Sequence, residues 1–198
     1  MSIFLLMLSL VLWGIIHSLL ASLFIKDLVR GLVGPTLFRL YRLGYNVFAA
    51  ASFLPVLYLM RSLPDQWVYS VPPPWSYFFI GGQFLSALLL LLALTQTDVL
   101  SFIGLSQIYK NQESSALVTK GLYRYVRHPL YTFSLLFLWL TPTLTQNSIV
   151  VFLGATIYVL IGAWFEERKL IKNFGQAYAE YQLITPMLIP YPKFRRNL

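Results

Sequence analysis

The sequence predicts an all-α integral membrane protein of about five transmembrane helices, the last two forming a helical hairpin. Three observations carry that expectation. Of the 198 residues, 58% are hydrophobic and only 11% charged, against roughly 25% charged in an ordinary soluble domain. Charge-free runs recur along the chain, and a helix rising about 1.5 Å per residue needs about 20 apolar residues to cross the hydrocarbon. Basic residues gather in alternate connections between those runs, the pattern that sets topology.

Met1 to Ile25 forms the first run. Leu43 to Met60, bounded by Arg42 and Arg61, forms the second, and the third lies within Gln66 to Thr97, from Trp75 onward, behind a stiff Val71-Pro72-Pro73-Pro74 lead-in. Residues 129–165 also lack charge, but they are too many for one crossing even with tilt, so this stretch folds back on itself. Thr141-Pro142-Thr143 and Gln146-Asn147-Ser148 mark the turn, because proline stops a helix and small polar residues favour loops. The fourth span is short at roughly 13 residues and needs tilt, a partly re-entrant path or shielding by its neighbours.

With five spans, every basic residue except Arg61 falls on one side of the membrane. Lys26, Arg30, Arg39 and Arg42 follow the first span, Lys110, Lys120, Arg124 and Arg127 follow the third, and the rest follow the fifth. This predicts an outside N-terminus and a cytoplasmic C-terminus. The formal charge of +8 then serves topology and anionic headgroups, with no nucleic-acid partner needed. The first basic residue follows the apolar N-terminal run, opposite to a cleavable signal peptide, so that run reads as a retained span. The chain has no cysteine, which excludes a disulfide, a thiolate metal site and a cysteine nucleophile. The simplest organisation is one structural domain, with three transmembrane helices in residues 1–106 and the hairpin and C-terminal tail in 107–198.

Polar residues crowd into two patches, Gln107 to Tyr131 and Glu166 to Tyr181, which flank the hairpin and meet at the predicted cytoplasmic surface. Taken singly, Arg124 and Arg127 also read as topology anchors, Tyr123, Tyr125 and Tyr131 as an aromatic belt, and Glu166 and Glu167 as a solvated helix end. That account leaves paired carboxylates at the C-terminal end of a spanning helix, where the helix dipole disfavours them unless a cation or ligand compensates. His128-Pro129 opens a helix with proline in its first turn, leaving nearby N–H groups for a carboxylate. No Gly-rich phosphate loop, zinc-type histidine spacing or Ser-His-Asp arrangement is present, so the chemistry would rest on a bound cosubstrate.

These residues resemble the membrane methyltransferases that include isoprenylcysteine carboxyl methyltransferases and phospholipid N-methyltransferases. The resemblance rests on Leu117-Val118-Thr119-Lys120-Gly121-Leu122-Tyr123, Arg127-His128-Pro129-Leu130-Tyr131, the hairpin, Glu166-Glu167, Phe174-Gly175, Tyr178, Tyr181 and Pro186 through Pro190. It implies an S-adenosylmethionine-dependent methyltransferase whose cytoplasm-facing pocket holds the cofactor through Ser115, Ala116, Leu117, Val118, Tyr123, His128, Pro129, Leu130, Tyr131 and Glu166, with no metal. An acidic Glu166 suits an ammonium group, backbone N–H groups a carboxylate, and tyrosine faces a sulfonium. Methyl transfer is an in-line displacement that mainly requires alignment. For a thiol acceptor, Arg127 is the candidate catalytic residue, as a cation favouring the thiolate.

Two positions depart from the pattern. Phe133 stands two residues after the motif tyrosine where the family often has a small residue. Gly162 stands four residues before Glu166 where prenylcysteine enzymes carry an arginine. The run from Trp139 through Tyr158, Gly162 and Glu166-Glu167-Arg168 is more similar to the bacterial methanethiol S-methyltransferase branch, and Trp13, the His17-to-Ser22 run and Lys26 resemble NnrU-like membrane proteins. The resemblance therefore implies an apolar small-molecule or membrane-dissolved acceptor, such as a thiol or prenyl-thiol compound, with phospholipid N-methylation or a non-catalytic role as alternatives. His17, inside an apolar span, either hydrogen-bonds Asn46 or a carbonyl, or contacts substrate.

Overall fold

A computed structural model of the chain describes residues 2–109 and 116–191. It is mostly helical, and four of its helices are long and apolar enough to cross a membrane: α1 (Ser2–Ala21), α3 (Tyr41–Ser62), α4 (Trp75–Thr95) and α8 (Gln146–Phe174). Between them lie α2 (Leu23–Phe38), the short helices α5 (Val99–Ile103) and α6 (Ser106–Tyr109), and α7 (Pro129–Trp139), with α9 (Gln176–Ile184) last. Strands β1 (Trp67–Ser70) and β2 (Thr143–Thr145) pair in a two-stranded sheet that the apolar pattern does not announce. The helical membrane class thus stands. α7, the expected fourth crossing, has 11 residues, a rise of about 16 Å, roughly half the hydrocarbon thickness.

The chain divides into two compact units. The first comprises Met1–Val68, Asp98–Ser114 and Thr145–Gly154, the second Tyr69–Thr97, Ser115–Leu144 and Ala155–Leu198.

In the first unit, Leu6 of α1, Val56 of α3 and Val151 of α8 form a buried nucleus, with Leu10, Trp13 and Phe53 against it. Helix α1 ends earlier than the apolar run suggested. Ser22 takes extended backbone (ψ 152°), its hydroxyl accepts from Ile25 N (3.3 Å), and Ile25 belongs to α2, so a serine N-cap interrupts the hydrophobic stretch. Gln146-Asn147-Ser148, expected in the turn, instead opens α8. Ser148 Oγ accepts from Thr145 N (2.8 Å) and Thr145 Oγ1 from Ser148 N (3.2 Å), a reciprocal cap that starts a helix where the residue types alone suggested a loop.

Asn147 is 1% exposed, and its Nδ2 donates to the carbonyls of Met60, Leu63 and Pro64 at 3.2–3.4 Å. One side chain thereby serves carbonyls that the C-terminal end of α3 cannot satisfy internally. His17 is partnered by Tyr45, whose hydroxyl lies 2.7 Å from Nε2, and its ring stacks on Trp13 at 4.8 Å. Asn46 donates to Ile103 O (2.8 Å).

In the second unit, α4 packs on α7 where Gly82 admits Leu140; a Cβ at Gly82 would sit 2.9 Å from Leu140 Cδ1. Gln83 Nε2 donates to Phe137 O (3.0 Å). α7 and α8 run antiparallel, with Trp139 Nε1 donating to Thr156 Oγ1 (3.0 Å) at one end and Tyr131 Oη to Glu166 Oε2 (2.8 Å) at the other. The fold-back expected of residues 129–165 is therefore present.

Asn147→Ala should lower the thermal midpoint in detergent, equivalent to about 1–3 kcal/mol for buried carbonyls losing their donor. An unchanged midpoint would show that the Asn147 bonds to α3 contribute nothing.

Candidate functional site

Lys120 through Tyr131 forms a tight turn leading into α7. Gly121 has φ +62°, and a Cβ there would lie 2.4 Å from Gln96 Oε1, the same oxygen that accepts from Leu122 N (2.8 Å). Only glycine combines that backbone with so close a neighbour. A 3-10 turn over Gly121–Arg124 then carries Tyr123.

His128 is the N-cap of α7 and Pro129 its first residue, where the missing N–H is harmless. Arg127 N and His128 N donate to Pro186 O (2.9 Å) and Met187 O (3.1 Å). These two amides are therefore spent on the chain's own tail. Thr132 N takes the first helical bond, to His128 O, so the amides ahead of an intrahelical acceptor are those of Leu130 and Tyr131.

Arg127 is buried. Its Nε donates to Glu167 Oε1 (2.6 Å) and its Nη1 to the carbonyls of Gln182 (3.3 Å) and Thr185. The Arg127 and Glu167 side chains expose only 7% and 13% of their surface, so neither charge is open to solvent. Glu167 is saturated further: His128 Nε2 lies 3.3 Å and Tyr178 Oη 3.4 Å from Oε1, and Gln182 Nε2 donates to Oε2 (2.9 Å). Burial, and after it the charge of Glu167, push the Tyr178 hydroxyl well above its ordinary range, keeping it protonated and able to donate.

Glu166 is different. Its Oε2 accepts from Tyr131 Oη (2.8 Å) and lies 3.7 Å from His128 Nδ1, and its side chain remains 44% exposed. The His128 ring stacks on Tyr131 at 5.4 Å. Tyr123, also near this carboxylate, has its hydroxyl pushed up to about 12 by burial and next by the Glu166 charge. Adjacent residues on a helix point about 100° apart, so one carboxylate of the pair enters the core and the other edges it. Nor do they end the helix as expected, because α8 continues to Phe174. The dipole penalty, confined to the last turn, is largely avoided.

Of the expected site residues, Tyr131, His128 and Tyr123 lie near the Glu166 carboxylate, Pro129 and Leu130 join His128 to Tyr131 along the chain, and Arg127 pairs with Glu167. Ala116, Leu117 and Val118 belong to no helix or strand, and among the described residues no hydrogen bond joins them to this cluster. Ser115 lies outside the described residues. Glu167, Gln182 and the carbonyls of Thr185 through Leu188 were not among the expected site residues. The helical spacing of Tyr178, Tyr181, Gln182 and Thr185 marks one helix face but not its partners.

A ligand with an ammonium, a carboxylate and a sulfonium finds matching chemistry in the accessible Glu166 edge, the first amides of α7 and the tyrosine rings. Glu167→Ala should be strongly destabilising, by about 3–5 kcal/mol, because it strands the buried Arg127 charge. Glu166→Ala should leave the thermal midpoint nearly unchanged; equal losses in both variants would contradict the division between the two carboxylates.

Residues 77–177 match the phospholipid methyltransferase family. The chain is 28% identical to a methanethiol S-methyltransferase of Mycobacterium tuberculosis over 93% of its own length and 78% of the relative's. It is 32% identical to methanethiol S-methyltransferase 2 of Bradyrhizobium diazoefficiens over 79% of its length and 62% of the relative's. Over a shorter stretch, 40% of this chain and 29% of the relative, it is 44% identical to a methanethiol S-methyltransferase of Pseudomonas deceptionensis. No solved structure matches the chain. The family match covers half the chain, and the chain belongs to the phospholipid methyltransferase family, as a membrane methyltransferase that uses S-adenosylmethionine.

Proposed function

We propose that the chain methylates a small apolar thiol, with the catalytic machinery in residues 107–198. The observation that carries the site assignment is the unequal pair Glu166–Glu167: one carboxylate is consumed by Arg127, and its neighbour stays accessible beside Tyr131 and His128. On this reading Glu166 holds the ammonium of S-adenosylmethionine, the Leu130 and Tyr131 amides its carboxylate, and Tyr123 and Tyr131 flank its sulfonium, with the 115–118 segment as a further contact. When bound, the cofactor supplies an electrophilic methyl group. The residues of the chain fix its orientation and exclude water, which is most of what an in-line displacement requires.

Arg127 takes a positioning role in this proposal. Its guanidinium is neutralised by Glu167 and saturated by two carbonyls, which leaves it poorly suited to draw a thiolate. Similarity to methanethiol S-methyltransferases over most of the chain supports a thiol acceptor. Gly162 lies one turn from both Tyr158 and Glu166, and a Cβ there would meet nothing within 4 Å, so a larger side chain can be placed there to probe the acceptor path. The basic-residue distribution supports an outside N-terminus and a cytoplasmic C-terminus, with the site on the cytoplasmic side. α7 serves as the short fourth crossing.

Calorimetry on purified protein should show saturable S-adenosylmethionine binding, weakened on the order of tenfold or more in Glu166→Ala, as for a lost charged hydrogen-bond partner. Binding unaffected by Glu166→Ala, Tyr131→Ala and His128→Ala together would reject the site. Methyl transfer to methanethiol should exceed transfer to added phospholipid, and the reverse would identify a lipid N-methyltransferase. Gly162→Leu should raise the KM for the thiol on the order of tenfold while cofactor affinity holds; an unchanged KM would remove Gly162 from the acceptor path.

A further inference from the structure

Helix α2 is used by none of the chemistry above. It has 16 residues and is interrupted at Gly34 (φ 76°, ψ 166°), with Pro35 next. Its regular part, Leu23 to Val33, rises about 16 Å and carries three charges, so it is too short and too polar to cross a bilayer. The extended Ser22 separates its path from that of α1.

Around this helix one stripe is wholly apolar, while the cationic side also carries Leu23 and Val33, 70% and 41% exposed. Phe24, Leu28 and Leu32, four residues apart and therefore on one stripe, are 76%, 51% and 76% exposed. Lys26 and Arg30, also four apart, fall on the opposite side. Ile25 and Val29 lie between the stripes and are half-buried. An exposed apolar stripe opposite a cationic one is the pattern of a helix lying in the plane of a membrane interface. The charge is one-sided as well: between Ser22 and Tyr45 the chain carries Lys26, Arg30, Arg39 and Arg42 against Asp27 alone.

We infer that α2 is an interfacial helix that seats Phe24, Leu28 and Leu32 among the upper acyl chains and gathers anionic lipid headgroups with Lys26 and Arg30. The apolar stripe alone would suit any lipid or a second copy of the chain. The cations at the same helix select a negatively charged headgroup, since each basic residue near such a surface adds about fivefold to its attraction.

The absence of cysteine makes the test direct. Leu28→Cys carrying a fluorophore, in the full-length protein reconstituted into phosphatidylcholine vesicles, is exposed to equal fractions of acyl-brominated phosphatidylglycerol or acyl-brominated phosphatidylcholine. Both should quench, phosphatidylglycerol severalfold more strongly, and Lys26→Gln with Arg30→Gln should bring the two lipids level. A label at Leu12→Cys, on the 50% exposed face of α1, should show no such preference. Absence of quenching at Leu28, quenching relieved as protein concentration rises, equal quenching by both lipids in the unsubstituted helix, or the same preference at Leu12 would each overturn the inference.

Discussion

The buried ion pair between Arg127 and Glu167 is the constraint on which the second unit depends. Two charges removed from water are costly unless every remaining donor and acceptor is met, and here they are met from three directions. The turn before α7 supplies His128, α8 supplies the glutamate, and α9 with the segment after it supplies Tyr178, Gln182 and the Thr185 carbonyl. Satisfying one pair therefore fixes the turn, a helix and the tail together. Further bonds follow the same path: Tyr181 Oη donates to Tyr123 O, and Thr132 Oγ1 donates to Leu188 O (2.7 Å). The carbonyls of residues 186–188 accept from residues 127–132, directly after the Gln182 and Thr185 carbonyls that accept from the guanidinium.

That arrangement gives the neighbouring Glu166 its character. With Glu167 neutralised by Arg127, Glu166 is the carboxylate left partly in the open, held by Tyr131 and near His128. Its position derives from the pair beneath it, since His128 contacts both glutamates. On the proposed reading, this separates what must stay rigid from what must meet a ligand, the arrangement that binding by orientation requires.

The spans were legible because lipid solvation imposes a simple rule on composition. α3 and α4 begin and end close to where charge and the Pro72-Pro73-Pro74 run bound them. What misled were residues whose local chemistry opposes their averages. Ser22 caps a new helix inside an apolar run, and Gln146-Asn147-Ser148, loop-forming by type, starts α8 through the exchange between Thr145 and Ser148. In the site, the motif residues from Tyr123 to Glu166 could be read in order. The partnering could not, because nothing local in Glu166-Glu167 states which side chain turns inward; that depends on where α8 lies against Arg127. Gln182 and the carbonyls after α9 were hidden for the same reason, since a carbonyl has no sequence signature.

On the proposed reading, the length of α8 sets the depth of this cluster. From Gln146 to Glu166 there are 20 steps along α8, about 30 Å at 1.5 Å each, which equals the hydrocarbon thickness. On the proposed reading the polar start of α8 lies at one interface and Glu166 at the other, with the further turns to Phe174 beyond it. An accessible carboxylate would be expensive at the midplane but is tolerable there. α7 begins at the same level, since Tyr131 meets Glu166, and its 11 residues run back only as far as the Trp139–Thr156 contact. On the proposed reading, this depth is what lets a water-borne charged cofactor and a lipid-soluble acceptor reach one carboxylate-lined site, each from the phase that dissolves it.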